Sequence, residues 1–207
     1  MAVKRNPDQT RERLLEAAFE EFQQHGFRAA SLDQILADTG LTKGALYHHF
    51  PSKAALGLAV IEDRLGAYVE QKWIHPLGES EDPIAGVLAA LQAFLPEGTQ
   101  RSCEAGCPLA NLAQEMAPLD EKFRQRLGDL FSRWQQALSE ALERGRGQGF
   151  VRADLDCREA ALFVVAATEG ALAMVRSARD PQALRACVAG LSRYLAALRP
   201  AETAVPL

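Results

Sequence analysis

The sequence predicts an all-α chain, on three observations. Apolar residues recur at three- and four-residue spacing in one segment after another. Runs that alternate with period two are few, and β-branched residues are sparse. Serine, threonine, proline and glycine punctuate the apolar stretches where helices start and stop.

In the first segment, Thr10 to Gln24, Leu14, Leu15, Ala18, Phe19 and Phe22 lie on one stripe, with Glu12, Glu16, Glu20 and Gln23 opposite. That is an amphipathic helix, and Gly26 follows as its C′ residue. Ser31 is a good N-cap for a short helix, Leu32 to Thr39, with Leu32, Ile35 and Leu36 in the core. Thr42 caps a third, Lys43 to His49, which Phe50-Pro51 stops. Ser52 then caps a long helix from Lys53 to about Trp73, carrying Leu56, Val60, Leu65 and Val69. A break is expected at His75-Pro76-Leu77-Gly78, a helix over Ile84 to Leu95 and a loop over Pro96 to Gly106. Pro108, favoured in a first turn, opens a helix that Pro118 ends. A long amphipathic helix follows from Leu119 to Arg144, closed by Gly145, Gly147 and Gly149. Cys157 to about Arg179 and Pro181 to Leu198 are the last two.

Composition narrows the function. Net charge is −4, and residues 1–60 balance seven basic against seven acidic side chains. A nucleic-acid partner would therefore have to be met by a local face and by dimer geometry, not by bulk basicity. No apolar run approaches the ~18 residues of a membrane span, and Met1 to Asp8 has no apolar stretch of a secretory signal, so a cytoplasmic chain with no membrane partner is expected. Four cysteines in 207 residues do not make a disulfide framework. Cys103 and Cys107 have too loose a spacing, with no histidine near, for a zinc site. No glycine-rich phosphate loop, nucleophile elbow or paired-carboxylate motif is present. No enzyme, cofactor or metal is expected.

The most informative block is Gly40-Leu41-Thr42-Lys43-Gly44-Ala45-Leu46-Tyr47-His48-His49-Phe50. Two short helices hinged at a glycine form a helix-turn-helix, whose second helix enters a DNA major groove. With Ala17-Ala18-Phe19, Phe22, Gly26-Phe27, Ser31, Ile35 and Ser52-Lys53, this block resembles the TetR family of bacterial transcriptional regulators over about residues 10–56. Leu36 departs from the alanine common there. The resemblance implies a helix-turn-helix DNA-binding domain over residues 1–52, a helical ligand-binding and dimerisation domain over 53–207, a double-stranded operator, a homodimer and a small-molecule effector, most often acting on a repressor.

The expected DNA face is Ser31, Thr42, Lys43, Gly44, Ala45, Tyr47, His48 and Lys53, with Lys4 and Arg5 as further phosphate contacts. Thr42 and Lys43 lie at a helix N-terminus, where amides favour anions. Gly44 and Ala45 are small enough for close approach, and Ala45 suits a thymine methyl. Lys53 matches the family's phosphate-contacting lysine. Leu46 and Phe50 are expected in the core, Arg11 and Arg13 on a solvated face, and Glu20 and Glu21 facing solvent.

One helix-turn-helix reads few base pairs, so a dimer surface is expected. Leu184, Val188, Leu191, Leu195 and Leu198 fall on an a/d seam, and Ala160, Val164, Ala167, Ala171 and Met174 repeat the pattern on the preceding helix. Paired in two subunits they would form a four-helix bundle; alternatively a seam closes the subunit's own core. Candidate effector-lining residues are Trp73, Phe94, Cys107, Leu112, Met116, Phe131, Trp134, Phe163 and Glu169. The stretch Gly106-Cys107-Pro108-Leu109 is similar to a glycine-cysteine-x-leucine block in a TetR branch that includes regulators of reactive small molecules. As the residue before a helix, Cys107 would present its thiol to unpaired amides, which favour the thiolate. The alternative switch is therefore covalent, at Cys107 or Cys103; the plain reading is a small buried side chain.

Overall fold

The structure, a computed structural model, describes residues 7–93 and 104–201. Every regular element among them is helical: α1 Pro7–His25, α2 Leu32–Thr39, α3 Lys43–His49, α4 Lys53–Val60, α5 Gly66–Val69, α6 His75–Glu79, α7 Pro83–Gln92, α8 Pro108–Met116, α9 Glu121–Gln148, α10 Cys157–Ala178 and α11 Pro181–Ala196. Wider π-helical turns, Ile61–Leu65 and Glu70–Ile74, join α4 to α5 and α5 to α6. Phe94, Cys103, Lys4 and Arg5 lie outside the described residues.

The expected boundaries of α2 and α3 are met, and the caps explain them. Ser31, Thr42 and Ser52 accept from Gln34 N, Ala45 N and Ala55 N. Gly40 ends α2 at φ +61°, with Gly40 N–H donating to Ala37 O and Leu41 N–H to Leu36 O. This is a Schellman motif, which needs the left-handed conformation glycine adopts freely.

Two helices outrun their expected ends. The helical run from Lys53 continues through Pro76 to Glu79: the wide turn Glu70–Ile74, closed by His75 N–H donating to Glu70 O, ends just before Pro76, which stands in the first turn of α6. The run is not a uniform α-helix. Val60 to Leu65 is a step of five, too long for one α turn. Gly66 N–H donating to Ile61 O makes a wide turn that absorbs the extra residue, so that Leu56, Val60, Leu65 and Val69 are all buried. The helix α9 passes through Gly145 and Gly147 and stops at Gly149, the one of the three with a positive φ, +84°. Gly145 serves a close approach instead: a Cβ there would lie 2.5 Å from Pro83 Cγ.

The elements sort into two compact units. The first is Met1–Tyr68 with Pro108–Leu130, the second Val69–Cys107 with Phe131–Leu207. Leu56 and Val60 of α4 are core residues and α4 packs on α1, within the first unit.

In the first unit, Leu14, Leu15, Ala18, Ile35, Leu46, Phe50, Leu56 and Phe123 are buried. Phe27 lies between Phe22 and Phe123, with ring centroids 5.2 and 4.9 Å apart. Two expectations on α1 are corrected, those for Arg11 and Glu21. Arg11 pairs with Asp63 at 2.5 Å and lies over the Phe50 ring, and Arg13 donates to Thr39 O. Arg13 is exposed and Arg11 half-buried, so the expected solvated face stands for Arg13, but both side chains also tie helices together. Glu21, expected to face solvent, is 6% exposed and accepts from Ser31 N–H at 2.8 Å. It is tolerated inside because a backbone donor partners it.

In the second unit, α10 packs on α11 and α7 on α11. Asp156 and Asp180 cap α10 and α11, and Trp73 stacks on Trp134 at 4.5 Å. The expected dimer seam is corrected here. Ala160, Val164, Leu184, Val188, Leu191, Leu195 and Leu198 are buried within the one chain, so the α11 seam and the first part of the α10 seam close the subunit's own core. Ala167 and Ala171 are half-buried, and Met174 is exposed. Heptad spacing cannot tell a seam inside a subunit from one between subunits. A second stripe on α10 does face outward: Leu162, Phe163, Ala166, Gly170, Ala173 and Met174. Although no uninterrupted apolar run suggested it, α10 is also long and apolar enough, by length and composition, to cross a membrane. Its buried side faces the core it shares with α11.

Candidate nucleic-acid interface

The short helix α3 is held from beneath and presents its other side. Leu46 and Phe50 are buried, as expected, while Thr42, Lys43, Gly44 and His48 are exposed and Tyr47 is 51% exposed. Ala45 and His49 are half-buried. Among the expected α3 contacts, Ala45 is the least accessible. Nothing lies nearer than 3.9 Å to where a Cβ on Gly44 would sit. The helix therefore offers a low, open floor between the Lys43 and Tyr47 side chains. The rings of His48 and His49 meet edge to face at 5.2 Å.

Hydrogen bonds show which groups are engaged. Thr42 Oγ1 accepts from Ala45 N–H at 3.3 Å, and its hydroxyl proton points the other way in that role. Lys43 pairs with Asp33 at 2.9 Å, both more than two-thirds exposed, and the carboxylate raises the Lys43 pKa, chiefly by accepting a hydrogen bond. An exposed pair of this kind is worth little. Ser31 Oγ caps α2, and its N–H is taken by Glu21. With its N–H engaged, exposed Ser31 has its hydroxyl as the group left to present outward.

Lys53 is placed differently from a free phosphate hook. Its Nζ donates to Ala30 O at 2.6 Å and to Arg28 O at 3.1 Å, and sits 5.1 Å over the Phe27 ring. Burial lowers its pKa, with Glu115 and Glu21 opposing. Two of three donors serve the turn between α1 and α2, leaving one to turn outward.

The described residues among the expected effector set are divided between the two units. Leu112 and Met116 are buried in the first unit. Trp73 and Trp134 are a buried stack in the second, and Phe131 is half-buried. Phe163 is 49% exposed, its ring 4.6 Å from Tyr194. Cys107 and Glu169 do meet. The buried thiol donates to Glu169 Oε1 at 3.2 Å, and Glu169 Oε2 is buried without a hydrogen-bond partner among the described residues. Burial pushes the Glu169 carboxyl up to about 7, the thiol bond partly opposing. An apolar cavity in the second unit, lined by Leu91, Thr168, Ala171, Leu172, Leu184 and Val188, holds about 20 Å³, room for one water. Among the described residues no group of His, Cys, Asp or Glu is placed to hold a metal ion.

Sequence reasoning passed over Glu115, whose carboxylate accepts from Phe27 N–H and Arg28 N–H. No local pattern marks such a long-range partner. It also passed over the outward stripe of α10, which has a signal: apolar residues all round one helix imply two buried faces.

Comparison with known proteins agrees with this geometry. Residues 14–60 match the family model described as bacterial regulatory proteins, tetR family, and residues 83–191 match the tetracyclin repressor-like C-terminal domain. The transcriptional regulator LmrA of Bacillus subtilis is 32% identical, over 83% of this chain and 88% of that protein. The transcriptional repressor NemR of Escherichia coli is 33% identical, over 66% of this chain and 69% of that protein. The crystal structure of E. coli NemR in reduced form superposes with TM-score 0.80 at 28% identity, covering 89% of this chain and 96% of that one. A helix-turn-helix with an exposed recognition face, two matched domains and relatives of this identity lead to one conclusion: the chain belongs to the TetR family of bacterial transcriptional regulators.

Proposed function

We propose that the chain is a repressor that binds a palindromic operator as a cytoplasmic homodimer and leaves it when a small-molecule effector binds. The observation that carries this reading is the outer side of α3, where Thr42, Lys43, Gly44, Tyr47 and His48 stand exposed while Leu46 and Phe50 anchor it. Ser31 Oγ and the remaining Lys53 donor flank it as phosphate contacts. The dimer forms through the outward α10 stripe, Leu162, Phe163, Ala166, Gly170, Ala173 and Met174, together with the small exposed residues Ala186 and Ala189 of α11. Small residues let helices approach closely, and Phe163 and Met174 supply apolar area. Selection of genomic DNA fragments on the purified protein tests the reading. Enrichment of a two-fold symmetric sequence with half-sites about 34 Å apart, bound more weakly as salt rises, supports it; no enriched sequence overturns it.

A second reading is favoured by the Cys107–Glu169 contact. In it the effector is an electrophile or oxidant and the switch is covalent, at Cys107. The likeness to a repressor whose structure is described as a reduced form supports this. Operator release by a thiol reagent that persists unchanged in Cys107→Ser overturns it.

A further inference from the structure

The turn between α1 and α2 is held by three charged side chains from three helices. Glu115 of α8 accepts from two successive amides, Phe27 N–H at Oε2 and Arg28 N–H at Oε1, both at 2.8 Å. Lys53 of α4 donates to Arg28 O and Ala30 O. Glu21 of α1 accepts from Ser31 N–H. Gly26 completes the cradle: at φ +78°, a Cβ there would lie 2.9 Å from Glu115 Oε2. The turn ends at Ser31, the N-cap of α2, and α2 leads through Gly40 into α3.

Two parallel N–H donors on one carboxylate fix orientation as well as position, because both oxygens must be met at once. The turn of six residues, 26–31, has one backbone bond of its own, Ala30 N–H donating to Gly26 O at 3.1 Å. The Phe27, Arg28 and Ser31 amides are held by these side chains instead, and the turn they shape sets where α2 begins.

We propose that Glu115, which lies outside the helix-turn-helix sequence, is a positioning residue for operator recognition: by holding the Phe27 and Arg28 amides it fixes the start of α2 and hence the aim of the DNA face. The proposal rests on the operator-binding reading above. Glu115 contacts no DNA in this role, so its loss weakens affinity without removing a phosphate contact.

The test uses the full-length protein and the duplex that the wild type enriches from a randomised library. Glu115→Gln keeps the size of the side chain but sets an amide N–H₂ against one of the two donors. Expected are roughly ten-fold weaker binding, equal to about 1.4 kcal/mol, an unchanged dependence of affinity on salt and faster exchange of the Phe27 and Arg28 amide hydrogens. A purely structural role would lower the melting temperature and leave the affinity of the folded fraction as it was; that result overturns the proposal, as does wild-type affinity. Should Glu115→Gln not fold, the wild type decides alone: Phe27 and Arg28 amides exchanging as fast as unprotected ones overturn the proposal, and protection that increases on duplex binding supports it. A wild type that enriches no duplex refutes operator binding itself, a result distinct from a variant that binds as tightly as the wild type.

Discussion

Replacing Glu169 with glutamine should change how stability depends on pH. In the folded protein the carboxyl titrates at about 7 rather than at its ordinary 4.5, because burial disfavours its charge. The folded state therefore holds a proton that the unfolded chain releases, and stability falls as pH rises from about 4.5 to about 7. At about 1.4 kcal/mol per pH unit, that rise costs the wild type about 3 kcal/mol by neutral pH, with nothing lost below pH 4.5. Glutamine carries no such charge and can still accept from the Cys107 thiol. Urea unfolding of both proteins at fixed protomer concentration, from pH 4 to pH 8, isolates the effect, since every other titrating group is common to the two. Relative to the wild type, the variant should gain stability by about 3 kcal/mol across this range. A difference that stays constant with pH would refute the argument.

Three further outcomes follow from the packing. Gly57→Ala would set a Cβ 2.5 Å from Phe27 Cε2 and 2.8 Å from Phe123 Cζ; overpacking costs about 1–3 kcal/mol, more than the helix preference of alanine returns, so calorimetry should record a lower melting temperature. Phe163→Glu, at an exposed site on the outward α10 stripe, should leave the monomer folded and shift sedimentation from dimer to monomer; an unchanged dimer refutes that interface. Lys53→Ala should weaken binding to all duplexes about equally and flatten the salt slope by about one unit; an unaltered slope would leave Lys53 only its role in the turn, and would set it beside Glu115.

Local chemistry was legible in the sequence and long-range chemistry was not. Ser31, Gly40, Thr42 and Ser52 announced the ends of α2, α3 and α4, because a cap is a contact between residues two to five apart. Leu46 and Phe50 could be assigned inward and Tyr47 and His48 outward from helical period alone. The Glu21, Lys53 and Glu115 contacts join residues 10, 23 to 25 and 87 to 88 positions apart, and no periodicity carries that information. Most residues of the expected α10 and α11 seams turned inward for another reason. Their spacing was read correctly, but a heptad reports only that a face is covered, and here the cover is the same chain.

The wide turn at Ile61–Leu65 makes this helix unusual in its response to altered length. In an ordinary α-helix, deleting one residue swings everything beyond it through about 100° and turns the apolar stripe away from the core. Here the chain already contains one residue more than regular winding requires between Val60 and Leu65. Removing one residue from that interval would convert the turn to plain α geometry and leave Leu65 and Val69 facing the interior. The segment is thus a reserve of chain length, a place where the gene can lose a codon and the protein keep its core.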